Sequence, residues 1–427
     1  MKRKLFWILF FLLLGLVGVY FYFAEGERPF VCLKPQRKFV NQDTKIKVSA
    51  KDLKSGLKEV KIFLIQKGKR IKVLSTKVSG HTFSYEFDLK PYIQKEGSFV
   101  VDIKVRDRSW RDFFRGNLSS LQKIYFLDNT PPLINLINYN RYVYQGGTGI
   151  VRFNSTEPLM VAGVKVGDYI FPAYPYKGGY ICFYTFPYNL SPLRFHPKIF
   201  AIDRALNKSE LLISCIVKKR SFPKERINIS SNFLNQKIIQ FKKYFPEETD
   251  LLDLFLKVNR DLRKRCRKKL IEICKKSATE VLWRGAFLRQ PNSKRMSGFG
   301  VKRSYFFQGK KVDEQTHLGI DLASIARAKI LASNNGRVIF SGFLGIYGKS
   351  VIIDHGFGLF TLYGHLSSIM VKKGDYVKKR DVIGYSGQTG LAGGDHLHFA
   401  VLISGVPANP VEWWDISWIK KNILPNL

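Results

Sequence analysis

His396 and His398 stand one residue apart in the stretch QTGLAGGDHLHFAV, in a chain of 427 residues that holds seven histidines. Five of the seven fall between His317 and His398. HLHFAVLI reads as a strand, where residues two apart share a face. Leu397, Phe399 and Val401 then face a core, and His396, His398 and Ala400 face the other way. A lone histidine is most often a satisfied core side chain. Two on one face, with three more in the same region, suit metal binding and proton transfer. His317 and Asp321, in THLGIDLAS, add a second pair. Fully extended they would lie about 13 Å apart, so the chain must bend near Gly319 to bring both to one ion. Four ligands (His317, Asp321, His396 and His398) would close the site and make it structural. Three would leave a position for water and make it hydrolytic. Spacing leaves both open.

The elements that must hold these groups are β-rich and rich in glycine from residue 297 onward. Val-Ile-Ile-Asp and Leu-Phe-Thr-Leu-Tyr read as strands; the HGFG turn between them carries His355, and His365 ends the second. In order, the region shows S-G-F-G…R (297–303), H-L-G-I-D (317–321), H-G-x-G (355–358), T-x-Y-x-H-L (361–366), V-K-K-G-D-x-V (371–377), I-G-x-S-G-x-T-G (383–390) and H-L-H-F (396–399). Residues 297–411 thereby resemble the lysostaphin-like, LytM-type zinc metallopeptidases, a family of peptidoglycan endopeptidases. The resemblance implies an antiparallel β-sheet domain of barrel-sandwich-hybrid type over 290–427. It implies zinc as cofactor, with His317, Asp321 and His398 as ligands and His365 and His396 as catalytic groups. It also implies peptidoglycan stem peptides as substrate. His355 matches a non-ligand position and reads as structural. Ala400 stands where glutamate is frequent, Arg380 where glycine is usual, and GGD precedes the histidine pair. None of these departures removes a ligand; they bear on substrate preference. Some family members that have lost ligands serve as activators of cell-wall amidases, whereas this chain keeps the whole set. A biotinyl- or lipoyl-type carrier shares the V-K-K-G-D-x-V…I-G turn but needs a lysine at the hairpin tip, which is missing here.

The rest of the chain reads as anchor, spacer and support. MKRKLFWILFFLLLGLVGVYFYFAEGER has three basic residues, then an uncharged run from Leu5 to Ala24. Twenty helical residues span roughly 30 Å, enough to cross a bilayer. The run ends in bulky Phe21-Tyr22-Phe23 with no small-x-small cleavage site, which favours an uncleaved transmembrane anchor (1–25) over a signal peptide. The flanking charges keep the N-terminus in the cytoplasm and place the rest outside, in the periplasm or extracytoplasmic space. A net charge of +38 calls for an anionic partner, and the location excludes nucleic acid in favour of lipid or cell-wall polymer. Residues 28–128 and 129–220 read as two Ig-like β-sandwiches joined at DNTPP, with a faint repeat of a strand running into an Asp-Arg turn at 99–109 and 197–207. Residues 228–280 read as a basic helical segment. Its apolar stripe at 251, 255, 258, 262, 266, 270 and 273 opposes the run RDLRKRCRKK, a solvated face or a contact to anionic lipid or wall polymer. Cys182 and Cys215 are a candidate disulfide; Cys266 and Cys274, about 12 Å apart along a helix, are too distant to bridge. The expected fold is mainly β.

Overall fold

The computed structural model describes residues 2–427 of the chain. They divide into two compact units: residues up to Pro132 joined by Ile202–Lys208, and Leu133–Ala201 with Ser209–Leu427. The first unit opens with the helix Lys2–Phe23, whose apolar side chains are exposed. By length and composition it can cross a membrane. A three-stranded sheet (Phe30–Lys34, Lys45–Lys51, Thr82–Asp88) then faces a five-stranded one built mainly from Leu57–Gln66, Lys69–Gly80, Gly97–Asp107 and Leu118–Leu127. Strict alternation sets the faces. In KIKVSAK, Ile46, Val48 and Ala50 are buried while Lys45, Lys47 and Lys51 are exposed.

The second unit carries the histidines. It begins with a β region from Ile134 that forms two four-stranded sheets. Two short helical stretches follow, capped by Ser230 on the Phe233 N–H and by Asp250 on the Asp253 N–H. The second continues as a π-turn at Val258–Leu262 and a helix at Arg263–Ile273. The C-terminal domain centres on a largely antiparallel sheet. Its order is Lys294–Ser297, Ile320–Ala323, Leu397–Ile403, Leu359–Leu366, Lys349–Gly356, Gly336–Phe343, Tyr376–Val377, with Val406–Ala408 paired to Leu397–Ile403.

Leu359–Leu366 and Leu397–Ile403 are buried along their whole length because both faces are covered. Leu397, Phe399, Val401 and Ile403 join a core that also holds Phe183, Trp283 and Trp413. Ala400 and Leu402 join a second core under the helical segment, with Phe255, Leu262 and Leu270. Such strands carry near-continuous apolar runs instead of a clean alternation with polar residues. The five cysteines are all free, so the candidate Cys182–Cys215 bridge does not form. Cys182 is instead a buried apolar side chain in the first of these cores.

Candidate metal centre

Strand pairing brings the ligand candidates together. Asp321 lies opposite His398 in the antiparallel pair Ile320–Ala323 and Leu397–Ile403. His317 precedes that strand, and the chain bends at Gly319. A side chain at 319 would put its Cβ 2.5 Å from His398 ring atoms and 2.8 Å from the Phe399 carbonyl oxygen, so the bend needs glycine. His317 Nε2 and His398 Nδ1 each lie 2.9 Å from Asp321 Oδ1, and 3.0 Å from each other. All three residues are buried.

Three such atoms converging on one point need a cation or protons between them. The His317 Nδ1–H donates to the Gly298 carbonyl oxygen at 2.9 Å, which turns Nε2 toward Asp321. His398 Nε2 is buried with no hydrogen-bond partner, so this ring has only its Nδ1 side engaged. Burial alone would raise the Asp321 carboxyl. The charge of His317 and hydrogen bonds from His317, His396 and His398 outweigh it and hold the group well below the usual carboxylate range. Burial pushes His398 down to about 4, against the pull of Asp321. A neutral imidazole beside an ionised carboxylate is the protonation pattern that metal binding requires. Two nitrogens and one oxygen are a donor set suited to zinc.

The other two candidates stand beside this trio. The His396 Nδ1–H donates to the Gly394 carbonyl oxygen at 2.9 Å, and its Nε2 lies 3.5 Å from Asp321 Oδ1. The His365 Nδ1–H donates to the Thr389 carbonyl oxygen at 2.8 Å. His396 thus turns Nε2 toward Asp321, and the Nδ1 contact of His365 leaves its Nε2 facing away from Thr389. The two ring centres are 4.9 Å apart, and His365 lies 5.7 Å from His398. Burial first, then the neighbouring His396 and His398, holds His365 well below its ordinary value. For His396, burial is outweighed by the hydrogen bond and charge of Asp321, and the pKa rises. His365 sits at φ 64°, a conformation that non-glycine residues rarely adopt and that often marks functional positions. His355 lies elsewhere. Its nitrogens meet the Asn335 carbonyl oxygen at 2.7 Å and Thr361 Oγ1 at 2.8 Å, so it is a satisfied core histidine.

Two charged groups behind the trio extend it. Arg303 Nη2 donates to Asp321 Oδ2 at 2.8 Å, fixing the carboxylate with Oδ1 toward the histidines. Its Nε donates to Glu225 Oε2 at 3.0 Å. Sequence reading placed Arg303 in a motif but missed Glu225. The signal is tertiary: Lys224–Ile229 pairs in parallel with Lys302–Phe307, in a register that sets Glu225 beside Arg303. The cleft, about 870 Å³, is bordered by the segment from Glu225 to Gln240 as well as by the histidines. Lys237 Nζ from that segment donates to the Gln388 carbonyl oxygen on the opposite rim.

A mainly β domain with a His–Asp–His cluster and two further histidines at one cleft defines a candidate metallohydrolase. Residues 315–410 match the profile of Peptidase family M23, and the C-terminal part of this chain is an M23 peptidase domain. Over 96 residues it is 43% identical to the DD-carboxypeptidase/endopeptidase Mpg of Neisseria meningitidis serogroup B, an alignment covering 22% of each chain. Over 131 residues it is 35% identical to the peptidoglycan DD-endopeptidase ShyB of Vibrio cholerae, covering 30% of each. This chain therefore matches about a fifth to a third of the length of these relatives. Among solved structures, the catalytic domain of lysostaphin from Staphylococcus simulans aligns at 27% identity and TM-score 0.25, over 29% of this chain and 92% of that one.

Proposed function

We propose that this chain is a zinc-dependent endopeptidase that hydrolyses peptide cross-links of peptidoglycan, held at the outer side of the cytoplasmic membrane by the helix Lys2–Phe23. The observation that carries the reading is the buried trio of His317 Nε2, Asp321 Oδ1 and His398 Nδ1, 2.9–3.0 Å apart. The M23 profile and the peptidoglycan endopeptidase relatives support the substrate class. His317 Nε2, Asp321 Oδ1 and His398 Nδ1 would hold zinc, with no fourth side chain in this cluster among the described residues. Zinc bound there supplies a Lewis acid that polarises a peptide carbonyl and makes water acidic near neutral pH.

The chain's own residues do the rest. The Gly394 and Thr389 carbonyls hold His396 and His365 in the tautomer that presents Nε2. From there the two imidazoles orient water, steady the oxyanion that forms at the attacked carbonyl, and pass a proton to the leaving amine. Arg303 keeps Asp321 oriented. The exposed Lys264 and Lys268 face solvent, where anionic wall polymer or lipid could meet them.

Two variants test the roles. His398→Ala should lose zinc by elemental analysis. His396→Ala should retain zinc but no longer release muropeptides from purified sacculi, read by mass spectrometry. Wild-type digestion by His396→Ala would overturn the role of that residue. A zinc-loaded wild-type protein that leaves sacculi intact yet stimulates a wall amidase would favour the regulatory reading.

A further inference from the structure

The loop between strands Gly97–Asp107 and Leu118–Leu127 exposes two phenylalanines side by side, Phe113 at 84% and Phe114 at 55%. Asp112, Phe113 and Phe114 follow one another at positive φ (53°, 50° and 68°). Three such non-glycine residues in succession are strained, and here the strain turns aromatic side chains away from any core of this unit.

The loop is tied to the end of the N-terminal helix. The Trp110 N–H donates to the Phe23 carbonyl oxygen at 3.0 Å, and Ser109 Oγ and Asn117 Nδ2 donate to the Glu25 carbonyl oxygen at 2.8 and 2.9 Å. The Trp110 ring lies 4.8 Å from Phe23, and the Phe114 ring 6.0 Å from Tyr20. Tyr20 sits about one helical turn inside Phe23, roughly 4.5 Å further along the axis. The loop therefore runs back beside the last turn of a helix that is apolar enough to span a bilayer. Arg111 and Arg115 flank the phenylalanines and are exposed. Lys58 Nζ holds the loop by donating to the Phe114 carbonyl oxygen at 2.8 Å. Aromatic rings bordered by cations match the acyl-headgroup boundary.

We propose that residues 110–115 are a second membrane contact: Phe113 and Phe114 enter the outer leaflet of the bilayer that Lys2–Phe23 crosses, and Arg111 and Arg115 meet its lipid phosphates. Two contacts instead of one fix the tilt of the first β domain on the membrane surface. This rests on the helix being a retained span.

The test uses the full chain in nanodiscs of phosphatidylethanolamine and phosphatidylglycerol, with a photo-crosslinker at one position at a time. Phe113→benzoylphenylalanine should give a phospholipid adduct by mass spectrometry. Lys67→benzoylphenylalanine should give none: it lies in the turn at the far end of Leu57–Gln66, whose first residue pairs with Asp107, about 30 Å from the loop. Leu13→benzoylphenylalanine reports on the span itself. Lipid adducts at Leu13 with none at Phe113 overturn the loop contact and leave the anchor standing. Absence at both overturns the anchor. A protein adduct at Phe113, to a second copy or another chain, also overturns the proposal.

Discussion

At the scale of single residues, the site depends on how one carboxylate is turned. Asp321 gives Oδ1 to the histidines and Oδ2 to Arg303, and Arg303 is balanced in turn by Glu225. Without the guanidinium, Oδ2 loses its charged partner and the carboxylate is free to rotate. Outer partners of metal ligands typically contribute about 10–100-fold in metal affinity. Arg303→Gln should therefore weaken zinc binding by about that factor in a chelator competition, and Glu225→Gln should weaken it less. Unchanged affinity in Arg303→Gln would show that the histidines alone set the carboxylate. The pair His396 and His398 could be picked out from the sequence because histidine is scarce and residues two apart on a strand share a face. The roles of His317, Asp321, His365, His396 and His398 rest on the family resemblance. Glu225 could be picked out from neither, because its link to Arg303 exists only once two distant strands pair in parallel.

At the scale of elements, the bend at Gly319 connects chain geometry to the donor set. A Cβ at this position meets both a backbone oxygen and the His398 ring, and neither can move without disturbing the strand that carries His398, a ligand candidate. Gly319→Ala should cost about 1–3 kcal/mol, as overpacking does, seen as a lower denaturation midpoint together with reduced zinc content. Full zinc content at wild-type stability would mean that the bend tolerates a side chain. Local pattern foretold this bend, and it foretold the turns of the faint repeat. Asp107 accepts from the Ser109 and Asn117 N–H groups, and Asp203 does the same for Ala205 and Asn207. The helical stripe was legible through Leu270, but the structure buries Cys274 where Ile273 was expected. Cys274 lies four residues after Leu270 on the same side of the helix, and Ile273 packs half-buried on the same core. The basic face divides as well. Arg260 and Arg267 turn inward to Asp313 and the Thr316 carbonyl oxygen, partners on a hairpin that local sequence does not reveal.

At the scale of the second unit, the β region that begins at Ile134 shares one core with the peptidase domain. Trp413 is fully buried against Phe183, Trp283 and Phe287, and its Nε1–H donates to Thr148 Oγ1 at 3.1 Å. Beside it Glu412 Oε2 accepts the Thr148 N–H at 2.8 Å, with Arg220 Nη2 3.8 Å from Oε1. Sequence reading set 129–220 apart as a sandwich of its own, since aromatic residues more than two hundred positions apart show no mutual signal. Burial pushes the Glu412 carboxyl up to about 7, against the pull of Thr148 and Arg220, from 4.5 when unfolded. Below pH 4.5 both states hold the proton and the group is neutral to stability. Between 4.5 and 7 the unfolded chain releases the proton while the native state keeps it, so stability falls as pH rises. Above 7 the loss is complete, of order 3 kcal/mol. Glu412→Gln keeps an acceptor for Thr148 without the charge. Its denaturation midpoint, followed by tryptophan fluorescence, should match wild type at pH 4.5 and exceed it at pH 8. Parallel curves for the two proteins across that range would show that Glu412 stays ionised at the seam and that Arg220 neutralises it.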